Sequence, residues 1–522
     1  MSSDREQLSS SFNGCLPTEL TCLIFEHLHC SDLVACRQLC RTIKHVIDTS
    51  VVLQYKIQLH LTGMVDNPAH HFSIVEKLAL LQKYQAQWYS LPGNLERVLL
   101  FDRIHLGLYA EEHVVCGTLG IGPSLDSNFY FAQLPSRIRG IPLKLWALRM
   151  PEHTGVFTLD PQQDVFVVLK KASGPEEYVH FSVVELSTGK EHPLSSCPSL
   201  PLPSGMGQEW LKIRISGPYL CVQCMESDIS IIWNWHSGSS IRIEARTASF
   251  AWIGPMHLLL GIYGSTSESR IDPPKLILVD LSHPERENQQ WEFLLPTILS
   301  KRESLGQLFD FGLECEPATP RSRSTMYSPD SPFHIAGEDS LIILTACEDT
   351  FRMFFLASRL FEIARKTADV ITDAIIVPWK EWGSRHTHVA RGAFTGFGDV
   401  VYGTRCWELT SGLVMLDFNR WHARHRMQAC GGAEENGLTK IRVSSQTHLR
   451  TMAEEVEATA EEMAELCLDG DEGDGQRKLT FQETVSPHRL YTNSWGSRFS
   501  EDAICVYRRN KDESVTWEAY TL

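Results

Sequence analysis

The stretch "IIWNWHSG", residues 231–238, contains the pattern that the long C-terminal region repeats. A run of apolar residues ends at the amide Asn234, and a serine-containing turn then leads to Gly238. An apolar run of β-branched and aromatic residues before such a turn is typical of a strand that enters a hairpin. Glycine suits the turn because it adopts a positive φ without steric cost.

The same order recurs along the chain. It is found in "VVELSTG" (183–189), "LILVDLSHP" (276–284) and "CWELTSG" (406–412). The marker residues Glu185, Asn234 and Asp280 are separated by 49 and 46 residues, and Glu408 follows 128 residues later. A period of this length, with several strands in each unit, is typical of a β-propeller. Six to eight blades would fit the length.

The region from residue 96 to the end contains other short apolar or alternating runs bounded by turn residues, which predict strands. They are "DVFVVLKK", "VHFSVVEL", "LKIRI", "LCVQC", "ISIIWNW", "LILVDL", "SLIILTA" and "AICVYRR". Because little room is left for crossover helices between them, the sheets should be antiparallel. Residues 96–522 are thus predicted to form a β-propeller-like domain, interrupted by disordered insertions near 315–336 and 430–478.

The composition restricts the class of protein. The chain has 522 residues, a net charge of -16 and 15 scattered cysteines. The N-terminus is polar and no apolar run is long enough to span a bilayer, so we expect a cytosolic or nuclear protein with reduced thiols. The acidic excess argues against nucleic acid as the main partner, and the lack of a spanning segment argues against a membrane. Residues 1–11 are predicted to be disordered.

The N-terminal region is predicted to be helical. In "LPTELTCLIFEHLHCSDL" (16–33), apolar residues lie on one helical face, and Pro17 suits the first helical position. Ser31 and Asp32 are expected to cap a second helix, whose apolar stripe extends from Cys36 to Ile47. Residues 51–64 fit both a strand and a helix, and helix is preferred because Gly63 could end it.

The same stretch resembles an F-box. The family pattern LPxEL, IFxxL, DL and Cys-Arg corresponds in order and spacing to residues 16–20, 24–28, 32–33 and 40–41. The family often has Trp two residues after the arginine, where Ile43 stands. We divide the region into an F-box at 12–62 and a helical connector at 63–95.

The resemblance implies a function as well as a fold. An F-box binds the Skp adaptor of a Skp–cullin–F-box ubiquitin ligase, and the remainder of such a protein recruits the substrate. The expected fold is therefore an all-α F-box followed by an all-β, WD-repeat-like propeller that binds an unidentified protein substrate. The residues expected to contact the adaptor are Leu16, Pro17, Leu20, Ile24, Phe25, Leu28, Asp32, Leu33, Cys40 and Arg41.

An adaptor of this kind needs no cofactor and no catalytic residue, so we predict a non-enzymatic subunit. Two alternatives remain: an F-box scaffold that acts outside ubiquitination, and a propeller enzyme. An enzyme would require acids or histidines that converge at the central channel.

Several motifs were weighed and set aside. The pair Cys221 and Cys224 lacks a second CxxC and lies in a predicted strand, where the two sulfurs would point to opposite faces. The glycine-rich runs 117–122 and 392–398 match no phosphate-binding fingerprint and are interpreted as turns. The tryptophans of 233–235 and 379–382 are interpreted as core residues between blades.

Three residues of the first insertion precede a proline, namely Thr319, Ser328 and Ser331. They are predicted sites of proline-directed phosphorylation. A phosphate there would add about -1.5 to -2 charges beside Arg321 and Arg323. A passive linker is the alternative.

Overall fold

The computed structural model describes residues 16–89, 96–170, 179–202, 206, 211–224, 229–245, 247–263, 265–267, 270–272, 274–282, 290–296, 312–316, 331–335, 339–346, 351–367, 374–383, 386–391, 400–409, 413–419, 442–444, 481–486, 496–500 and 503–521. The predicted disordered N-terminus lies outside these residues. The predicted insertion at 430–478 is described only at residues 442–444, which form a strand, so the prediction of disorder was wrong there. The predicted insertion at 315–336 is described only at its two ends.

Residues 16–89 form a helical layer. Its elements are α1 (Thr18–Glu26), α2 (Cys30–Cys36), α3 (Arg41–Thr49), α4 (Val51–Thr62), β1 (Met64–Asp66) and α5 (Ile74–Tyr89). The ambiguous segment is the helix α4, as preferred, and it ends at Gly63 with a φ of 67°. Phe25, Leu33, Ile47 and Leu53 are buried together and form the small core of the first four helices.

Three local predictions in this layer were wrong. Pro17 is the N-cap residue of α1, one position before the helix begins. The second helix is capped by His29, whose ring accepts a hydrogen bond from the Ser31 amide, and not by Ser31 and Asp32. The apolar stripe from Cys36 to Ile47 belongs to two helices, because the chain is extended at Cys40 between α2 and α3.

Seven large sheets follow, and each is a blade with its strands mostly in chain order. Blade 1 contains β3 (Leu106–Val115), β4 (Thr118–Ser124), β5 (Asn128–Gln133) and β6 (Lys144–Arg149). Blade 2 contains β7 (His153–Asp160), β8 (Val165–Lys170), β9 (His180–Glu185) and β10 (Ser199–Pro201). Blade 3 contains β11 (Leu211–Ser216), β12 (Tyr219–Cys224), β13 (Ile229–Asn234) and β14 (Ser240–Glu244).

Blade 4 contains β15 (Thr247–Gly254), β16 (His257–Ile262), β19 (Lys275–Asp280) and β20 (Gln290–Leu294), with the hairpin β17 (Ser265–Ser267) and β18 (Arg270–Asp272) between β16 and β19. Blade 5 contains β21 (Gly312–Glu314), β23 (Leu341–Ala346), β24 (Phe351–Leu356) and β26 (His388–Arg391). Between β21 and β23, the strand β22 (Phe333–Ile335) pairs with β1 of the helical layer.

A segment between the third and fourth strands of blade 5 packs on the edge of blade 4. After β24 come α6 (Ala357–Thr367), β25 (Ala374–Val377) and α7 (Trp379–Trp382). β25 adds to β20 as a parallel fifth strand, and the two tryptophans of α7 are buried between blades 4 and 5. A covered edge strand is protected from pairing with another chain.

Blade 6 contains β27 (Val400–Tyr402), β28 (Arg405–Leu409), β29 (Leu413–Asp417), β30 (Arg442–Ser444) and β31 (Phe481–Ser486). Blade 7 contains β32 (Gly496–Phe499), β33 (Ala503–Arg509), β34 (Val515–Thr521) and the outermost strand β2 (Glu96–Ile104), which comes from the other end of the propeller region. Contacts between neighbouring blades run from β3 through β7, β11, β15 and β21, then from β23 through β27 and β32 back to β3. The ring therefore closes with seven blades, within the predicted range.

The eight predicted strand runs are all strands, but one repeat marker was misassigned. Glu185, Asn234 and Asp280 end the third strand of their blades, whereas Glu408 lies on the second strand of blade 6. The true counterpart is Asp417, which ends the third strand and accepts a hydrogen bond from the Asn419 amide at 2.9 Å. The glycine-rich run at 117–122 was also interpreted wrongly, because residues 118–124 form β4.

A buried carboxylate fastens the closing strand of blade 7. Glu518 of β34 accepts hydrogen bonds from Arg97 of β2, from Arg508 of β33 at 2.6 Å and from the Tyr520 hydroxyl at 3.2 Å. Its side chain is almost completely buried. The two guanidinium groups lower the pKa of Glu518 although burial opposes this.

Replacing Glu518 by glutamine should therefore lower the free energy of unfolding by about 2–3 kcal/mol, because two charge-assisted bonds weaken in a buried site. The matched control is Glu96→Gln on β2, since Glu96 forms an exposed ion pair with Arg137 at 2.7 Å. Exposed pairs contribute at most about 1 kcal/mol. Denaturant midpoints of the two variants measure the difference, and equal midpoints would contradict it.

Candidate protein-binding surfaces

The first candidate surface lies on α1. Leu16, Leu20, Leu23 and Ile24 are each between 46% and 53% exposed, although they are large and apolar. Leu23 and Ile24 lie three and four residues after Leu20, which places these three on one face of the helix, and Leu16 precedes the N-cap residue Pro17. Phe25 points to the other side and is buried in the core of the helical layer. This helix therefore presents one apolar face inward and another to the surface.

Val34 of α2 and Leu39 between α2 and α3 add further exposed apolar side chains in the same domain. A group of exposed apolar side chains such as Leu20, Leu23 and Ile24 is a mark of a protein–protein interaction site. We call Leu16, Leu20, Leu23, Ile24, Val34 and Leu39 the apolar face of the F-box region.

The end of α1 is held in place by a lysine. Lys56 Nζ on α4 donates to the carbonyl oxygens of Glu26 and Leu28, both at 2.6 Å. A cation beside the last carbonyls of a helix satisfies acceptors that lack an intrahelical partner. This contact ties α1 to α4, so the apolar face is presented on an ordered element.

The ten predicted adaptor-binding residues differ in burial. Leu16, Pro17, Leu20, Ile24, Asp32 and Arg41 are exposed, and Leu28 and Cys40 are half-buried. Phe25 and Leu33 are buried in the local core, so they support the surface from beneath. The predicted set omitted Leu23, Val34 and Leu39; for Leu23 the helical periodicity was a sufficient signal.

A second feature is the junction between the helical layer and the propeller. Leu81, Tyr84 and Trp88 of α5 are buried against blade 7, blade 6 and segments of blades 1 and 5. The propeller residues in this cluster are Ile138, Phe333, Met415, Ile504, Val506 and Tyr520. The connector thus shares a core with the propeller.

Polar contacts at the junction are also buried. Asn67 donates its side-chain amide to the Ser331 carbonyl at 2.7 Å, and its backbone amide donates to the Pro332 carbonyl at 3.0 Å. Lys77 Nζ lies 2.8 Å from Asp66 Oδ1 and 2.7 Å from the Asn67 carbonyl. These bonds complement the β1–β22 pairing and orient the helical layer on the propeller.

The junction identifies the covered side of the ring. Besides strand residues of blades 6 and 7, its propeller contacts come from connections that follow the first or the third strand of a blade. These are the segment 134–143 of blade 1, the segment 331–335 of blade 5, and Asn419 of blade 6, which donates to the Leu61 carbonyl at 2.9 Å. In an antiparallel blade these connections share one end, and the connections after the second and fourth strands share the other. We call the latter end the open face.

Of the predicted phosphorylation sites, only Ser331 is among the described residues. Its hydroxyl is buried, accepts a bond from Arg139 Nη1 at 3.0 Å and donates to the Phe333 carbonyl at 2.7 Å. A kinase would reach it only after local opening of the junction. Phosphorylation at Thr319, Ser328 and Ser331 stays a prediction.

Charged side chains gather on the first strands around the axis of the ring. Glu112 of blade 1 pairs with Arg498 of blade 7 at 3.0 Å, across the seam where the ring closes. Lys212 of blade 3 donates to Ser249 of blade 4 at 2.8 Å. Burial and the nearby Arg214 lower the pKa of Lys212 to about 8, and burial raises the pKa of Glu112.

His113, beside Glu112, has its pKa lowered from 6.5 to about 4 by burial and by Arg214. Burial likewise lowers the pKa of His153 to about 4. The unfolded chain binds these protons near pH 6.5 and the folded chain near pH 4, so stability falls as the pH drops through that window. We expect His113→Gln to flatten the decline of the melting temperature between pH 6.5 and 4. An unchanged slope would show that His113 does not titrate in this way.

The motifs that were set aside lie in core positions. Cys221 faces the apolar cluster toward blade 4 and Cys224 faces the cluster toward blade 2, so their sulfurs point to opposite sides as predicted. Trp233, Trp235, Trp379 and Trp382 are buried, also as predicted. In the described part of the chain, no three His, Cys, Asp or Glu side chains are placed to bind a metal. The glycine-rich run at 392–398 lies outside that part.

Comparison with known proteins agrees with the motif assignment. Residues 14–55 match the F-box domain family, and this chain therefore carries an F-box domain, followed by a seven-bladed β-propeller. A search of curated proteins finds no match. No helix among the described residues is long and apolar enough to cross a membrane.

The solved structures that match this chain are propellers with low sequence identity to it. Kluyveromyces lactis Hsv2 is 8% identical, with 78% of this chain and 94% of that chain covered and a TM-score of 0.37. The N-terminal domain of Nup159 is 10% identical, with 82% and 96% covered and a TM-score of 0.33. The blade count given above is derived from the strand pairing of this chain alone.

Proposed function

We propose that this protein is the substrate receptor of a Skp–cullin–F-box ubiquitin ligase. The apolar face of the F-box region binds the Skp adaptor, and the propeller binds the protein to be ubiquitinated. The observation that supports this most directly is the exposure of three large apolar side chains on one face of α1, and of Leu16 just before it, within the segment that matches the F-box family. The site of action would be the cytosol or the nucleus.

The role of the protein would be positional. A receptor of this kind raises the local concentration of cargo lysines near the charged conjugating enzyme, and it needs no catalytic group of its own. The shared core and the polar junction between the helical layer and the propeller favour this role, because they fix the position of the two binding regions relative to each other.

We place the cargo on the open face of the propeller, at or around the mouth of the channel. The opposite end carries the helical layer, so loops on the open face are the ones free to meet a second protein. Loops held by a rigid scaffold are also where binding residues concentrate.

The experiment is co-purification of the full chain with the Skp adaptor and a cullin, followed by reconstituted ubiquitin transfer to captured cargo. Recovery of the adaptor together with the cullin is the expected result. Recovery of the adaptor without the cullin would favour a scaffold outside ubiquitination, and recovery of neither would contradict the proposal.

Because the helical layer and the propeller share a core, the cargo test requires the full chain and not a fragment. A fragment that begins at residue 96 would lose α5 and expose its apolar contacts on blades 6 and 7. Cargo binding should therefore be compared in the full chain, with and without substitutions on α1.

A further inference from the structure

A cavity opens at the rim of the open face, between blade 7 and blade 1. Its volume is about 320 Å³, and its walls are formed by residues 100–105 together with Ser124, Asp126 and Tyr130. Residues 100–104 lie near the end of β2, and Ser124 and Asp126 belong to the turn between the second and third strands of blade 1. The cavity thus lies at the end of the ring opposite the junction with the helical layer.

The wall from blade 7 is shaped by irregular pairing. β2 pairs with β34 with register shifts between Leu99 and Phe101 and again between Phe101 and Ile104. Extra residues at such bulges change the direction of side chains, and bulges are common beside functional sites. Arg103 has a φ of 51°, a conformation that residues other than glycine rarely adopt.

Hydrogen bonds hold this wall in place. The Thr516 hydroxyl donates to Asp102 Oδ1 at 2.9 Å and accepts from Asn510 Nδ2 at 3.0 Å. On the other side, the Leu125 amide donates to the His105 carbonyl at 2.9 Å. Both walls are therefore ordered before any ligand binds, which reduces the entropy cost of binding.

The cavity lining is mixed, with aromatic and aliphatic side chains beside polar and charged ones. Leu100 and Ile104 are buried, and the half-buried rings of Phe101 and Tyr130 lie 5.6 Å apart. Leu125 at the rim is 72% exposed. Within the described residues, the exposed carboxylate of Asp126 has no hydrogen-bond or ion-pair partner, and Asp102 lies on the opposite wall.

We propose that this cavity binds a segment of the cargo protein that carries an aromatic or large aliphatic side chain next to a lysine or arginine. The apolar side chain would pack against the exposed edges of Phe101 and Tyr130, which contact each other, and Leu125 would cover it. The basic residue would pair with Asp126 or Asp102, the two carboxylates of the lining. The identification with cargo depends on the proposed function, but the peptide preference does not.

The test is a positional-scanning peptide array probed with the purified full chain. We expect peptides with an aromatic residue, Leu, Ile or Met beside Lys or Arg to be enriched at least threefold over the mean signal. Asp126→Lys should return the signal of these peptides to the mean of the array, and Leu125→Asp should do the same without affecting the fold, because Leu125 is so exposed. The matched control is Leu194→Asp, at an exposed leucine on blade 2.

The outcomes distinguish the alternatives. No enrichment, or enrichment that survives both cavity substitutions, would overturn the proposal. A shift in molar mass from dimer to monomer for Leu125→Asp would show that a second copy of the chain occupies the site, and would equally overturn it. Adaptor binding measured on the same variants should be unchanged. If the wild-type chain fails to bind the adaptor, the proposed function is wrong, but the peptide preference of the cavity is not affected.

Discussion

Replacing Leu20 and Ile24 together by aspartate is expected to abolish binding of the Skp adaptor while the folded chain remains intact. Both side chains are about half exposed on α1, so their loss removes little from the core. In a complex each would become buried, and a large apolar side chain contributes roughly 1.5–3 kcal/mol on burial. Losing both, and burying two carboxylates instead, should weaken the complex by more than about 100-fold.

The measurement is the dissociation constant of the purified chain for the adaptor, with melting temperature as the test of folding. Leu194→Asp on blade 2 is the matched control, because Leu194 is 64% exposed and lies outside the F-box. It should leave adaptor binding unchanged. A double aspartate variant that binds the adaptor as the wild type does would rule out this face as the binding site.

A milder pair of substitutions gives a graded result at the same site. Leu16→Ala with Pro17→Ala removes the exposed apolar residues at the helix entrance, and we expect loss of adaptor binding while the propeller stays folded. The effect should exceed that of Phe25→Leu, because Phe25 contributes to the core of the helical layer and does not present its side chain to the surface.

The F-box could be predicted from the sequence because its information is local. The residues from Leu16 to Arg41 match the family pattern at several points within one short segment. The same pattern does not separate contact residues from core residues, and it therefore placed Phe25 and Leu33 with the exposed leucines. Helix α1 has apolar side chains on two of its faces. Only the packing of α3 and α4 decides which of the two faces is covered.

The strands of the propeller were also predictable, but their assignment to blades was not. Alternating apolar residues identify a strand, whereas the order of strands in a blade depends on pairing. The turn after Glu408 has the composition of the turns that follow third strands. Composition therefore assigns Glu408 to a third strand, although it lies on a second strand. The long connections between β20 and β21 and between β21 and β23 further obscure the period, which prevented a definite blade count.

Contacts between distant parts of the chain have no signal in a single sequence. β2 pairs with β34, so residue 96 lies beside residue 521. The cavity at the rim depends on bulges in that same pairing, and the junction depends on β1 meeting β22. None of these features leaves a periodic pattern, because each joins segments that are far apart in the chain.

The second large effect is expected at Trp88, which fills the junction between the helical layer and the propeller. Its ring is buried, it meets Tyr84 edge to face at 6.2 Å, and the guanidinium of Arg405 lies 5.6 Å from its centre. Replacing a buried tryptophan by alanine typically costs about 3–5 kcal/mol, because apolar contacts are lost and a cavity remains. The Arg405 guanidinium would also lose an aromatic partner.

We therefore expect Trp88→Ala to uncouple the helical layer from the propeller. Denaturant unfolding followed by far-UV circular dichroism should change from one transition to two, with the helical signal lost first. Trp88→Phe retains a ring in the site and should show a smaller loss, and Leu194→Ala should show almost none. If Trp88→Ala unfolds in one transition at the wild-type midpoint, the layer is not held by this contact. If the uncoupled variant still binds adaptor and cargo separately but transfers ubiquitin poorly, the rigid junction itself is required for function, because only the relation between the two binding regions has changed.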